Sequence, residues 1–401
     1  MSETNFPDVI WDDSSHATDL ILRTSDQKEI LRVWYDSEVS PIQIRLAEND
    51  GVKFIDTKGD AIVPPPKPKR QYNRKAQGIA RNWAIRKSPR TGKNRFYVWR
   101  DKEGERITVS LPVWSKPGLY TPQNFPEIIG QDEMIFALAI AIKTKKRCLF
   151  AGPTGTGKTS LPIWLGQILN YNVIEMSINR STEASHFIGE YKPTGTKGEF
   201  KWSDGPLSLA VRQSQSHPTI LILDELNRIG HQAELSRTYS LLTDQMRLEI
   251  PEHRMENGES EIIFGKQLSI CATINPSDYE DDDYSGANYI GIQDLDPALE
   301  SRFEFRPKVN YPAQEIEKQT LVLRVEGLDP AKASLMVDAA RRIRTSDEVR
   351  FPISFRELEA WALLLPYYSY KEAAELTVIE KAPPSMRADI RSLLYLQTGK
   401  N

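Results

Sequence analysis

The chain has 401 residues, 39% hydrophobic, 9% aromatic and 27% charged, with a formal net charge of −3. That length fits roughly two to three domains of about 150 residues, and the composition excludes a mainly disordered or collagen-like chain. The two cysteines, Cys148 and Cys271, are too few for a disulfide scaffold and sit in apolar runs, as buried thiols do in a reducing compartment. The longest apolar run, Met134–Ile142, is nine residues, well short of the ~20 that span a bilayer. The acidic N-terminus lacks an apolar h-region, so no signal peptide is expected, and a soluble, cytoplasmic protein is.

The segment before Pro64-Pro65-Pro66 is acidic and carries pieces that alternate at period two, Leu31–Tyr35 and Ile42–Leu46, which predict strands. The proline run reads as a stiff linker or domain edge. From Lys67 to Arg106 there are fourteen Lys and Arg against three acids, a net +11 that leaves −14 for the rest of the chain. Within this stretch, Arg95–Arg100 and Arg106–Leu111 flank Asp101-Lys-Glu-Gly104, a predicted β-hairpin. A shift to proline, glycine and serine over Trp114–Pro126 marks the main expected boundary. Residues 1–115 are therefore expected to form a small, mainly β, basic N-terminal region.

Gly152-Pro153-Thr154-Gly155-Thr156-Gly157-Lys158-Thr159 has the G-x-x-x-x-G-K-[ST] spacing of a phosphate loop. Glycines let backbone N–H groups turn inward and approach phosphates closely. Lys158 would reach the β- and γ-phosphates of ATP, and the Thr159 hydroxyl would bind Mg²⁺. The context agrees: Cys148–Ala151 is a short apolar strand, and Thr159–Asn170 is helical in pattern, with Pro162 in the harmless first turn. Thr219–Leu223 is an uninterrupted apolar run, as in a strand buried on both faces, and it ends in Asp224-Glu225. An acidic pair after a strand otherwise makes a helix N-cap and a first-turn acid. Behind a phosphate loop, Asp224 reads as the residue that holds Mg²⁺ through water and Glu225 as the base for the attacking water. The next apolar strand, Leu268–Thr273, leads to Asn275. Parallel sheets place ligands at the carboxyl ends of their strands, where Thr154, Asp224 and Asn275 all fall.

As an ordered set these motifs resemble the AAA+ ATPases, specifically the MoxR and CbbQ/NirQ/NorQ/GvpN group of the helix-2-insert branch. The resemblance runs from about Phe125 to Tyr395. Ile128-Ile-Gly-Gln131 looks like the family's first motif, which places Gln131 near the adenine. Phe187-Ile-Gly-Glu190 and Phe200–Leu207 look like the helix-2 insert and the helix after it. Leu223-Asp-Glu-Leu-Asn-Arg228 looks like Walker B, and Ala272-Thr-Ile-Asn-Pro276 like sensor 1, with Asn275 its polar residue. Leu295–Phe303 looks like the arginine-finger segment, so Arg302 would reach a neighbouring subunit's site. Pro352-Ile-Ser-Phe-Arg356 resembles sensor 2, so Arg356 would touch the γ-phosphate within its own chain. For Arg302 and Arg356 the bland alternative is a surface ion pair. For Arg228, contact with a neighbour and a role on the helix surface are both open.

The resemblance implies a P-loop AAA+ α/β domain with a three-layer parallel sheet over residues 116–310 and a C-terminal helical lid over 311–401, in which runs such as Ala331–Arg344 and Phe355–Leu365 are helical. It implies a homo-oligomeric ring of six, because a finger given in trans completes each site only at a subunit interface. The favoured activity is that of an ATPase that remodels a protein client, in relatives often with a von Willebrand A-domain partner. Tyr191, Phe200 and Trp202 of the insert are candidate contacts, with packing inside the insert as the alternative. A second reading is a nucleic-acid motor or McrB-like defence NTPase that uses residues 67–106, whose aromatics Tyr72, Trp83, Phe96, Tyr97 and Trp99 would stack on bases. Against it, McrB-type GTPases carry Met-Asn-Thr-Ala-Asp where residues 272–276 here read Ala-Thr-Ile-Asn-Pro, which favours ATP over GTP. A third reading is a chelatase motor subunit. Asp278–Asp283 reads as a solvated acidic loop, and the five histidines have no metal-ligand spacing with the cysteines.

Overall fold

The computed structural model describes residues 81–195, 198–255, 257–275, 294–346, 349 and 351–395, and the backbone of six strands nearer the N-terminus. The acidic loop Asp278–Asp283, Tyr72 and the proline run lie outside the described residues. Two compact units divide after Asn73. The first holds β1 (Val9–Asp12), β2 (Thr18–Arg23), β3 (Glu29–Tyr35), β4 (Gln43–Glu48), β5 (Gly51–Ile55) and β6 (Ala61–Ile62), an antiparallel meander in chain order. Its register pairs Leu31 with Leu46 and Val33 with Ile44, the two stretches whose alternation predicts strands.

The second unit begins with a three-stranded antiparallel sheet, β7 (Trp83–Lys87), β8 (Asn94–Lys102) and β9 (Glu105–Pro112). The predicted hairpin is β8–β9. Its turn residues Glu103 and Gly104 have φ of 54° and 83°, the left-handed pair that a two-residue turn requires. This sheet, expected within an N-terminal region of residues 1–115, belongs to the unit that begins at Arg74. The reason is its apolar face. Phe96, Val98, Val109 and Leu111 are buried in one cluster with Met134, Ile135 and Leu138 of α1 (Asp132–Thr144) and Trp164 of α2 (Ser160–Leu169). Trp83 stacks on Phe96 at 5.7 Å and meets Trp164 edge-on at 5.2 Å.

The central sheet is parallel, in the order β10 (Cys148–Ala151), β17 (Leu268–Ile274), β14 (Thr219–Asp224), β11 (Asn172–Ser177). Phe305–Lys308 extends it beyond β10: Leu149 N–H donates to Phe305 O at 2.8 Å and Val309 N–H to Ala151 O at 2.7 Å. The continuous apolar run of β14 has the predicted cause. Ile220 and Ile222 face the cluster with α1 and α2, while Leu221 and Leu223 face Phe187, Leu207 and Val211 on the other side. Helices thus cover both faces. Cys148 and Cys271 are free, buried neighbours in adjacent strands, and burial pushes both thiols up.

Between β11 and β14 run α3 (Ala184–Ile188), the hairpin β12 (Gly189–Pro193)–β13 (Phe200–Asp204) and α4 (Pro206–Gln213). A second hairpin, β15 (Arg247–Arg254)–β16 (Ser260–Phe264), precedes β17, and the short α5 (Pro297–Glu300) precedes the helical region. That region comprises α6 (Gln314–Arg324), α7 (Pro330–Arg344), α8 (Phe355–Leu364), α9 (Tyr370–Thr377) and α10 (Arg387–Tyr395), packed on Met336, Val337, Ile343, Leu358 and Trp361. Asp329 caps α7 ahead of Pro330 by accepting from Ala331 N–H. Ser354 and Ser369 open α8 and α9 with capping boxes to Glu357 and Glu372. No helix among the described residues is long and apolar enough to cross a membrane.

Candidate nucleotide site

The carboxyl ends of β10, β14 and β17 open into a cavity of about 420 Å³ lined by Gln131, Thr154–Ser160, Asp224, Glu225, Thr273 and Asn275 on one side. Ile128, Ile129, Pro312, Glu317, Thr320, Arg324, Phe355, Arg356 and Glu359 complete it. The 152–159 loop joins β10 to the N-terminus of α2. A β-carbon at Gly152 would lie 2.0 Å from Val309 O, and one at Gly155, where φ is +73°, would lie 2.0 Å from Ser354 Cβ. Glycine is therefore required where the loop passes the sheet edge and where it meets the start of α8.

Lys158 is 7% exposed. Its Nζ donates to Gly152 O (2.6 Å), Pro153 O (2.7 Å) and Asn275 Oδ1 (3.1 Å). Burial lowers its pKa to about 8, against the opposing pull of Asp224 and Glu225. Asp224 Oδ1 accepts from Thr159 Oγ1 at 2.5 Å and from Thr273 Oγ1 at 2.6 Å. A hydroxyl and a carboxylate converging at the loop are the hard oxygen donors that Mg²⁺ takes, so the residues fit that ion.

Glu225 follows β14 in the left-handed region, φ 58°, which turns its side chain away from the strand line. Thr273 Oγ1 accepts its N–H at 2.9 Å. Its carboxylate receives Arg228 Nη1 at 2.7 Å and Asn275 Nδ2 at 3.5 Å. Asn227, buried, donates to Asn275 O at 2.7 Å. Asn227 and Thr273 stand inside the Leu223–Arg228 and Ala272–Pro276 strings, whose residue types alone give neither a task. Asn227 fixes the loop that bears Asn275, and Thr273 fixes both acids. Arg228, left open between a neighbour and the helix surface, pairs with Glu225.

Gln131, the N-cap residue of α1, donates to Thr156 O at 2.9 Å and to Asn310 O at 3.1 Å. It thereby ties the phosphate loop to the segment leading into α6. Arg356, in the first turn of α8, lines the cavity. Arg302 does not line it. Its guanidinium lies over the Tyr239 ring, 4.7 Å from the centroid, with Nε buried and unpartnered.

In the hairpins, Trp202 meets Tyr191 edge-on at 5.3 Å and lies tilted against His253 at 5.0 Å. Arg212 holds Asp204 and Glu261 and so joins β13 to β16. Tyr191 and Phe200 remain exposed, at 46% and 62%. Of the three insert aromatics, Trp202 therefore packs internally, as its bland alternative requires, and Phe200 does not.

Residues 147–303 match the family described as AAA domain, dynein-related subfamily. Among curated proteins, 80 residues are 38% identical to midasin of Dictyostelium discoideum, which is 20% of this chain and 1% of that protein. A stretch of 185 residues is 27% identical to midasin of Giardia intestinalis, 46% of this chain and 3% of that protein. The matched stretches thus span only a few hundredths of the length of these relatives. Among solved structures, a variant of RuvB from Thermotoga maritima superposes with a TM-score of 0.40 at 16% identity, over 70% of this chain and 82% of that one. That likeness is too loose to bear on function. The match over residues 147–303, with the phosphate loop and the parallel sheet, shows an AAA+ P-loop fold and makes this a P-loop ATPase.

Proposed function

We propose that this AAA+ ATPase binds ATP with Mg²⁺, acts in the cytoplasm as a homo-oligomeric ring, hexameric as in the MoxR and CbbQ group it resembles, and uses turnover to remodel a protein client. The observation that carries this reading is the position of Arg302. Lys158, Asp224, Glu225, Asn275 and Arg356 share one cavity, and Arg302 stands outside it. The resemblance implies a further arginine on the γ-phosphate besides Lys158 and Arg356, and Arg302, standing outside its own cavity, is placed for a neighbouring copy's site instead. A heterologous contact closed by rotation then gives every cavity one such arginine.

In this reading Lys158 holds the β- and γ-phosphates, and the loop N–H groups cradle them. Glu225 takes a proton from the attacking water, and Asn275 orients that water. Arg356 and a neighbour's Arg302 stabilise the charge that develops on the γ-phosphoryl oxygens. Thr159 and Asp224 would hold Mg²⁺, which offsets phosphate charge when bound.

Exposed Tyr191 and Phe200 on β12–β13 support a protein client, with a von Willebrand A-domain protein as the partner the resemblance suggests. The nucleic-acid reading loses two of its stacking aromatics, because Phe96 is buried and Trp83 packs on Trp164. The Arg106 guanidinium covers Trp99 at 5.5 Å. No observation favours a chelatase.

The test is a pull-down with Glu225→Gln under ATP, alongside mass measurement of the wild type. The expected result is a ring that captures a defined protein. Capture of nucleic acid alone would replace the client assignment, and brisk turnover by a strict monomer would end the ring.

A further inference from the structure

We propose that Arg344, which no motif points to, is a positioning residue that locks the phosphate loop to the helix bearing Arg356. This makes the cavity's preference for ATP over ADP depend on Arg344. The inference rests on the reading that Arg356 contacts the γ-phosphate.

Arg344 is the last residue of α7, and its side chain is only 6% exposed. All three nitrogens of its guanidinium donate hydrogen bonds. Nη1 and Nη2 fork onto Glu317 of α6 at 3.0 and 2.8 Å, and Glu317 is fully buried and lines the cavity. Nε donates to Ile353 O at 2.6 Å, immediately before the Ser354 cap of α8. Its plane lies on the Tyr311 ring, 3.7 Å from the centroid, and Tyr311 OH donates to Thr154 O at 3.0 Å. Arg341 adds to the same node, bonding Pro312 O and approaching Glu317 at 3.3 Å.

The path is short and direct. A phosphate-loop carbonyl is tied to a tyrosine, the tyrosine to one guanidinium, and that guanidinium to the backbone one residue before the N-cap of the helix that carries Arg356. The same loop touches α8 at Gly155 and Ser354. A planar fork with an aromatic platform fixes orientation as well as charge, which an ammonium does not. Arg344 thus sets where Arg356 stands relative to the loop, without reaching the nucleotide itself.

The experiment is a double-mutant cycle on the full chain, reading affinity for ADP and for a non-hydrolysable ATP analogue. Arg344→Gln is expected to leave ADP affinity near wild type and to weaken the ATP analogue by about tenfold, within the range of site-to-site couplings. Arg344→Lys should not rescue it. Adding Arg344→Gln to Arg356→Ala should cost no further ATP preference. Equal losses for both nucleotides, or losses that simply multiply, overturn the proposal. Arg356→Ala that keeps full ATP preference overturns the reading beneath it, and the proposal with it. Should Arg344→Gln not fold, Tyr311→Phe removes only the hydroxyl. It should show the same ATP-selective loss at smaller size and the same non-additivity, and an additive result there overturns the proposal.

Discussion

The wall of the cavity built by residues 152–159, 224–227 and 273–275 differs from the wall built by residues 311–324 and 353–359 in the source of its geometry. On the first wall, strands of one parallel sheet end side by side, and their polar residues bond one another directly: Thr159 and Thr273 to Asp224, Asn227 to Asn275. Sheet register sets Asp224 beside Thr273, and the short segments at the strand ends carry Thr159, Asn227 and Asn275. On the second wall, the elements are helices joined by irregular segments, and buried ions hold them together, with Glu317 between Arg341 and Arg344. A sheet is hard to deform, whereas helices held through a few ion pairs can turn as a body when one contact changes. In the proposed function, the sheet wall carries the fixed chemistry and the helical wall senses the nucleotide.

The largest expected effect breaks the sheet wall's self-sufficiency. Arg302→Ala should keep ATP binding and ring assembly yet lose about 10³–10⁵ in turnover. Mixing it with Lys158→Ala subunits should recover part of the activity, since one variant supplies intact loops and the other intact fingers. Normal rates for Arg302→Ala alone would mean that each cavity works unaided. Next, Glu225→Gln should slow turnover by about 10²–10⁴, with nucleotide held at full stoichiometry in a filter-binding assay.

A third experiment asks what the sheet wall stands on. Phe96→Ala should destabilise the second unit by about 3–5 kcal/mol in denaturant titration, through a cavity between β8 and the helices α1 and α2. Removing residues 1–73 should leave ATPase activity in place, whereas removal through residue 115 should not. Equal tolerance of both truncations would put the β7–β9 sheet outside the catalytic unit. Smaller still, Asn227→Ala strips a buried hydrogen bond and should cost about 1–3 kcal/mol in stability. Its turnover should fall because Asn275 loses its anchor, and an unchanged rate would make the Asn227–Asn275 pair purely structural.

The smallest effect concerns Lys158. Burial holds its pKa down to about 8, so the free cavity carries the ammonium charge below that pH and loses it above. Phosphates require the charged form, so binding at higher pH must take up a proton. Nucleotide affinity should be flat below about pH 8 and fall by about tenfold per unit above it. Titration calorimetry in two buffers of different ionisation enthalpy reads the uptake directly. No proton uptake at pH 9 would mean that the loop lysine is already charged when free.

The first wall was largely legible in the chain, and the second was not. The phosphate loop, the Asp224-Glu225 pair and Asn275 each sit in a local string whose residue types follow from backbone geometry: glycine where φ is positive, apolar runs where a strand is covered on both faces, acids just past a strand end. Local strings need no knowledge of the rest of the fold. Several other features were decided only by tertiary structure: Trp83 and Phe96 drawn into the core beside Trp164, Arg302 left outside its own cavity, Arg228 turned onto Glu225, and Tyr311, Glu317 and Arg344 gathered at the phosphate loop. Most of those partners lie far apart along the chain. An arginine or tyrosine in an ordinary helical pattern looks the same whether it faces water or a buried carboxylate. Only the packing of α6, α7 and α8 on one another, with Tyr311 and Ser354 meeting the phosphate loop, brings the groups within bonding distance.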